Sequence, residues 1–207
     1  MNFDKNDRAV LAKLLRWRRD VRHFRTDPVA PDQMAQLRAA FDMSPSVGNA
    51  RPWRVIRITS DQLRAQVRDE FLACNADAAA SYDDTTRDEY LRLKLAGLDA
   101  APEQLAIFTD IDPPEGRTLG RRTMPETLQQ STAMAIHALW LTARALNLGV
   151  GMVSILRPDH MTRIFEVPDS WQFSAYLCIG HPEFTDDTPL LHRADWQQNT
   201  PTAWEDR

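Results

Sequence analysis

The stretch Pro125–Leu156, PETLQQSTAMAIHALWLTARALNLGVGMVSIL, decides how the rest of the chain is read. Pro125 suits the first turn of a helix, where its missing N–H is not needed. From Ala133 to Leu146 only His137, Thr142 and Arg144 interrupt an apolar run. A surface helix shows one apolar stripe, so a helix greasy on most sides belongs inside a core or a subunit interface. His137 then reads as a core histidine whose ring finds its partners inside the protein. Gly149 stands where a left-handed glycine usually ends a helix. GVGMVSIL follows as a short buried strand carrying a single hydroxyl, Ser154.

The bulk numbers bound what such a helix and strand can belong to. The 207 residues suffice for one sizeable core, with 43% hydrophobic and 26% charged side chains, the balance of an ordinary globular protein. A net charge of −4 argues against a general nucleic-acid binder, which needs a basic face. The N-terminus MNFDKNDR has no apolar signal core, and no stretch is long and apolar enough for a membrane span. Cys74 and Cys178 fit no metal or redox spacing. The expectation is a cytoplasmic protein with no structural disulfide, no motif-encoded metal, and neither nucleic-acid nor membrane partners.

Upstream of the central stretch, Val10, Leu11, Leu14, Leu15 and Trp17 recur at helical spacing over residues 6–17. That helix runs into RWRRDVRHFR, five arginines in ten residues with Asp20 among them. Such a density repels itself unless solvent or an anion lies between the charges. Two readings follow: a solvated basic turn in which Asp20 pairs with its neighbours, or a phosphate clamp. A second helix begins at Pro31, and the loop SPSVGNARPW offers hydroxyl and N–H donors before a strand over Trp53–Thr59. Ser60 caps a helix to about Ala73. Residues 75–89, acidic and weakly patterned, read as a mobile surface segment, with 75–90 a candidate lid. A short helix around EYLRLKLAGL, a strand at QLAIFTD, a loop rich in proline, glycine and arginine, a helix from Pro158 and a strand at SAYLCIGHP complete the pattern. The extension 183–207, with Trp196 and Trp204 in polar surroundings, is expected to lie across a surface, such as that of a second subunit. Strands dispersed among helices, with no repeat and no clear linker, give one domain over 1–207 of α/β or α+β class.

Three segments taken in order, RWRRDVRHFR, SPSVGNARPWR and GRRTMPETLQQS…LGVGMVSIL, resemble the FMN-dependent nitroreductase-like flavoproteins. Within that family the chain is most similar to the aerobic flavin-fragmenting branch, the 5,6-dimethylbenzimidazole synthases. The resemblance covers Arg16 to about Pro182. It implies an α+β nitroreductase-like fold with a central mixed or antiparallel sheet flanked by helices, and the long apolar helix at the interface of a homodimer. It also implies FMN sites shared between subunits, with Arg18, Arg19 and Arg22 on the phosphate and ribityl chain and Val21 in the same motif. Ser46 would bind flavin, that of the opposite subunit being one option. Leu95 would pack near the ligand, and Arg193 would add a late phosphate contact. Many nitroreductases carry Gln where this chain has Arg51, so no flavin contact is carried over to Arg51.

The activity implied by this branch is unusual. Reduced FMN is substrate as well as ligand, and with O2 it yields 5,6-dimethylbenzimidazole, the lower ligand of cobalamin, and erythrose 4-phosphate. A separate NAD(P)H-flavin reductase would supply the reduced FMN, and no metal is required. Asp20 resembles the branch's catalytic aspartate, kept ionised by the arginines and so suited to act as a base. Ser154 resembles the serine placed against the flavin ring. Two other activities remain open: an NAD(P)H-dependent nitroreductase or flavin reductase, and a flavin-binding protein without chemistry. A fragmenting enzyme must cover its flavin against nicotinamide. The segments 75–90 and 110–124 are the expected cover.

Overall fold

The computed structural model describes residues 1–93 and 97–207. Its centre is a four-stranded antiparallel sheet of β1 (Trp53–Arg57), β2 (Glu103–Asp110), β3 (Gly149–Val153) and β4 (Trp171–Gly180), in the order β1-β2-β4-β3. All eight residues of β2 are buried, because helices cover both faces of the sheet. Side chains alternate across a strand, so Leu105 and Ile107 enter one core while Ala106 and Phe108 enter the other. β4 divides likewise, with Ala175, Leu177 and Ile179 on one side and Tyr176 and Cys178 on the other. The register Leu105↔Leu177, Ala106↔Tyr176 keeps the two sets aligned. This two-faced burial explains why both strands read as continuous apolar runs.

The first core is closed by α2 (Pro31–Asp42), through Leu37, Ala40 and Phe41, and by the central helix α5 (Thr127–Ala145), through Ala135, Leu139 and Ala143. The second core is closed by α3 (Asp61–Ala80), through Val67 and Phe71, and by Met161 of α6 (Pro158–Ile164). The opening helix α1 (Lys5–Trp17) is fixed at its start by an Asp4–Asp7 capping box, yet it buries no residue. Its Val10, Leu11 and Leu15 stay exposed, as does Met134 on the outer side of α5. In one chain, therefore, α5 is buried on one face only. Among the described residues no helix is long and apolar enough to cross a membrane.

Several boundaries differ from the sequence expectation for physical reasons. Residues 75–89 are not weakly structured: α3 continues to Ala80, and α4 (Asp84–Arg92) folds back on it with Asp83 as its N-cap. Alanines at 76 and 78–80 carry high helix propensity. A Tyr90 hydroxyl bond to Asn75 (2.7 Å) and ring packing of Tyr82 on Tyr90 then join the two arms. The left-handed residue that ends α5 is Asn147 (φ 59°), not Gly149, and the Leu148 N–H closes the turn on the Ala143 carbonyl at 2.8 Å. Pro125 lies in the turn before α5, and Ser154 lies just past β3. The C-terminal extension folds onto its own chain through short α7 (Leu190–Arg193). Asp187 meets Arg16 at 2.5 Å, and Trp196 packs edge-on against Tyr82. Trp204, further along, is exposed.

Candidate flavin site

Beyond α1 the chain leaves helical geometry at Arg18 and runs extended along the free edge of β3. Asp20 bridges to Val150 in parallel sense, and the Val21 N–H donates to the Val150 carbonyl at 3.0 Å. The glycine spacing of GVG is what admits this segment. A Cβ at Gly149 would lie 2.8 Å from a Val21 methyl, and one at Gly151 only 2.2 Å from the Val21 carbonyl oxygen. The two motifs singled out in the sequence, about 130 residues apart, are thus laid side by side.

This docking fixes the Asp20 carboxylate. One oxygen accepts the Met152 N–H at 2.9 Å and the other accepts the Arg22 Nε–H at 3.0 Å. The two bonds fix the direction in which the carboxylate points. The side chain keeps 35% exposure, so the group is oriented yet reachable. Ser154, two residues beyond Met152, is exposed. Val21 packs into the second core, and its contact with Gly149 is structural.

The three arginines divide their tasks. The guanidinium of Arg18 lies 5.0 Å from the centre of the Trp140 ring, while its Nε is buried without a partner. Arg19 donates to the Arg18 and Asp187 carbonyls, both at 2.8 Å, and its Nε is likewise buried and unpartnered. Burial, then the charge of Arg18 beside it, pull the Arg19 pKa below the ordinary arginine value. Buried donors left unpaired are costly, and a guanidinium N–H of this kind is suited to an anionic group such as a phosphate. Arg22 is different: its fork is committed to Asp20 and, at 3.3 Å, to the Leu93 carbonyl at the end of α4. Arg193 pairs with Asp186 at 3.1 Å. Arg51 pairs with Asp42 and faces the Trp53 ring. Leu95 lies outside the described residues.

A cleft of 410 Å³ opens next to Arg18 and Met152, between α5 and the ends of β3 and β4. Trp140, Met152 and Phe173 give it an apolar floor, and Arg18, His137 and Ser174 a polar edge. His137 is therefore not a core histidine: it is exposed on the cleft face of α5. Its placement beside Trp140, three residues on and so on the same helical face, was the available signal. Ser174 had none. The pairing shifts between Ile107 and Phe108, leaving Ser174 as the extra residue of a bulge in β4, with its hydroxyl 2.7 Å from that of Thr109.

Ser46 stands apart from this cluster. It precedes β1, the sheet edge opposite β3, and its Oγ accepts the Arg51 N–H at 2.9 Å. The Val47 N–H donates to Ser131 of α5 at 3.0 Å, and a tight turn at 115–118 packs on the loop. Among the described residues no hydrogen bond or ion pair links Ser46 to residues 18–22 or to Ser154. Also among the described residues, no group of three or more His, Cys, Asp and Glu side chains is placed to hold a metal ion.

The chain is 59% identical, over its full length and that of the relative, to a 5,6-dimethylbenzimidazole synthase of Rhodobacter capsulatus. It is 49% identical to the protein of the same name from Rhodospirillum rubrum, over 96% of this chain and 94% of that one. Among solved structures, oxidised iodotyrosine deiodinase bound to FMN and 3-iodo-L-tyrosine superposes with a TM-score of 0.72. That match covers 95% of this chain and 97% of the other at 16% identity, a likeness of fold. Residues 15–181 match the family model described as Nitroreductase family, and on that match, with the antiparallel sheet and helical layers described above, the chain belongs to the nitroreductase family.

Proposed function

We propose that this chain converts reduced FMN and O2 to 5,6-dimethylbenzimidazole and erythrose 4-phosphate, as a 5,6-dimethylbenzimidazole synthase. The observation that carries the proposal is the full-length identity of 59% to a relative of that name. The docking of the Asp20 segment on GVGMVS supports it from the geometry.

Arg18 and Arg19 hold the FMN phosphate, since each has a buried N–H with no partner in the protein. Reduced FMN, when bound, supplies both the electrons for oxygen and the carbon skeleton of the product. Asp20 orients and removes a proton: its two oxygens are anchored by Met152 and Arg22, and each retains a free lone pair for the substrate. Ser154 donates its hydroxyl from the turn after β3. The α3–α4 hairpin, tied to Asp20 through the Arg22 bond to Leu93, covers the site against nicotinamide. The 110–124 loop, folded over the Ser46 turn at the opposite sheet edge, completes the cover over the flavin of the second copy.

The site is completed in a homodimer. Exposed Val10, Leu11 and Leu15 of α1 and Met134 of α5 form the contact face, and Ser46 serves the flavin of the second copy. A separate NAD(P)H-flavin reductase delivers the reduced FMN in the cytoplasm.

The test is to incubate the protein with excess reduced FMN in air and to assay for dimethylbenzimidazole by chromatography. The parent forms product, while Asp20→Asn and Ser154→Ala form little and still bind flavin. Rapid NADPH oxidation by the parent without benzimidazole would favour a flavin reductase instead.

A further inference from the structure

A second charged cluster lies on the other face of the sheet, under the turn that carries Ser154. Glu70 of α3 is only 7% exposed, yet its carboxylate collects five donors. Arg157 gives it Nε at 2.7 Å, Nη2 at 2.9 Å and its backbone N–H at 3.2 Å. His160 contributes Nδ1 at 2.9 Å and Cys74 its thiol at 3.2 Å. The bonds, led by that of Arg157, hold the Glu70 pKa down at about 2. Arg157 is the N-cap residue of α6, which has no side-chain cap of its own. Glu70, from a different helix, accepts the backbone N–H of that N-cap residue and so sets a carboxylate at the N-terminal end of α6.

The consequence concerns Ser154. Residues 154–157 form a short turn between the end of β3 and the start of α6. At one end the turn is fixed by the sheet. At the other it is fixed by the Glu70–Arg157 fork, with Leu156 buried in the second core alongside Val67 and Met161. A forked arginine fixes direction as well as distance. Glu70 sits on the same helix that continues into the α3–α4 hairpin.

We infer that Glu70 is a positioning residue for Ser154: acting through Arg157, it holds the turn so that the hydroxyl faces the bound flavin, and it couples that placement to the hairpin. This inference rests on the reading of Ser154 as a flavin-site residue. Glu70 itself touches no substrate.

A double-mutant cycle tests it, with the turnover rate at saturating reduced FMN and oxidised-FMN affinity as readouts. Glu70→Gln keeps the shape but weakens the fork; a misplaced hydroxyl should lower turnover about tenfold or more. Oxidised-FMN affinity should stay within about threefold, because the arginine segment is untouched. In the Ser154→Ala background the same change should cost less than about twofold, since the group being positioned is gone. Arg157→Lys, which keeps the charge but not the fork, gives a milder variant should Glu70→Gln fold poorly, and it should show the same turnover loss at unchanged affinity. Unchanged turnover in these variants, or an equal loss with and without Ser154, overturns the inference. A Ser154→Ala rate equal to the parent removes the reading beneath it, and so identifies which of the two has failed.

Discussion

Replacing Gly151 by alanine strikes the contact on which the proposed flavin site rests. The added Cβ lies 2.2 Å from the Val21 carbonyl oxygen, about 1 Å inside the distance of an ordinary carbon–oxygen contact. That oxygen belongs to the backbone, so no rotamer change relieves the clash. β3 is paired along its whole length with β4, which leaves the 20–22 segment to yield. With it go the Val21 N–H bond to Val150 and the Met152 N–H bond to Asp20. A neutral bond contributes about 1 kcal/mol and a bond to a charged group about 2, so detachment costs about 3 kcal/mol. Stabilities of domains this size are about 5–15 kcal/mol, so the variant still folds. Its melting midpoint should fall by about 6–12 °C. FMN affinity should weaken by up to about a hundredfold, the factor equivalent to that energy. Flavin fluorescence titration and thermal melting read the two effects. A Gly151→Ala protein with parental affinity and midpoint would refute the assignment of this edge as the foundation of the site.

Two further outcomes follow from groups away from the flavin. Tyr176 is fully buried and donates to Gln104 Oε1 at 2.6 Å, while Gln104 Nε2 donates to the Leu98 carbonyl at 2.8 Å. Burial raises the Tyr176 pKa, so the phenol remains a donor. Tyr176→Phe leaves a buried acceptor unpaired and should cost about 2 kcal/mol, or about 4–8 °C in thermal melting, with flavin binding unchanged. Glu70 has a pKa lowered from 4.5 to about 2 in the folded protein. A depressed acid pKa stabilises above its unfolded value, and that contribution is lost as pH falls. About 3 kcal/mol should therefore disappear between roughly pH 4.5 and 2. Asp159 and Asp187 are also held below the ordinary value and contribute in both proteins, so urea unfolding across that range should show a loss larger in the parent than in Glu70→Gln by about this amount.

The sequence disclosed the layers of the fold more readily than the closure of the site. β2 and β4 stood out because helices bury both of their faces, and α2 because Pro31 marks its start. The α3–α4 hairpin did not, since its residues are acidic or small and its order comes from Tyr82, Tyr90 and Asn75 meeting across the fold. Glycine is the commoner helix terminator, so the local pattern favours Gly149 over Asn147. The actual role of Gly149, together with Gly151, is to let Val21 approach β3. Asp20 and Ser154 stand out in the sequence only through the resemblance of their motifs, and that the Asp20 carboxylate is held by the Met152 amide depends on a contact no local pattern encodes. Charge alone does not distinguish Arg22 from Arg18 and Arg19, whereas packing separates them: two keep buried free N–H groups and the third is tied to Asp20. The bulge that aims Ser174 into the cleft is a slip of register, invisible in a single strand.

The most direct measurement is a flavin mass balance over one aerobic cycle. The protein is mixed with an equal amount of anaerobically reduced FMN, opened to air, and the flavin and benzimidazole contents are measured at completion. If the chain fragments its flavin, isoalloxazine absorbance is lost and 5,6-dimethylbenzimidazole appears mole for mole, with Asp20→Asn returning oxidised FMN instead. Full recovery of oxidised FMN from the parent protein would contradict the account.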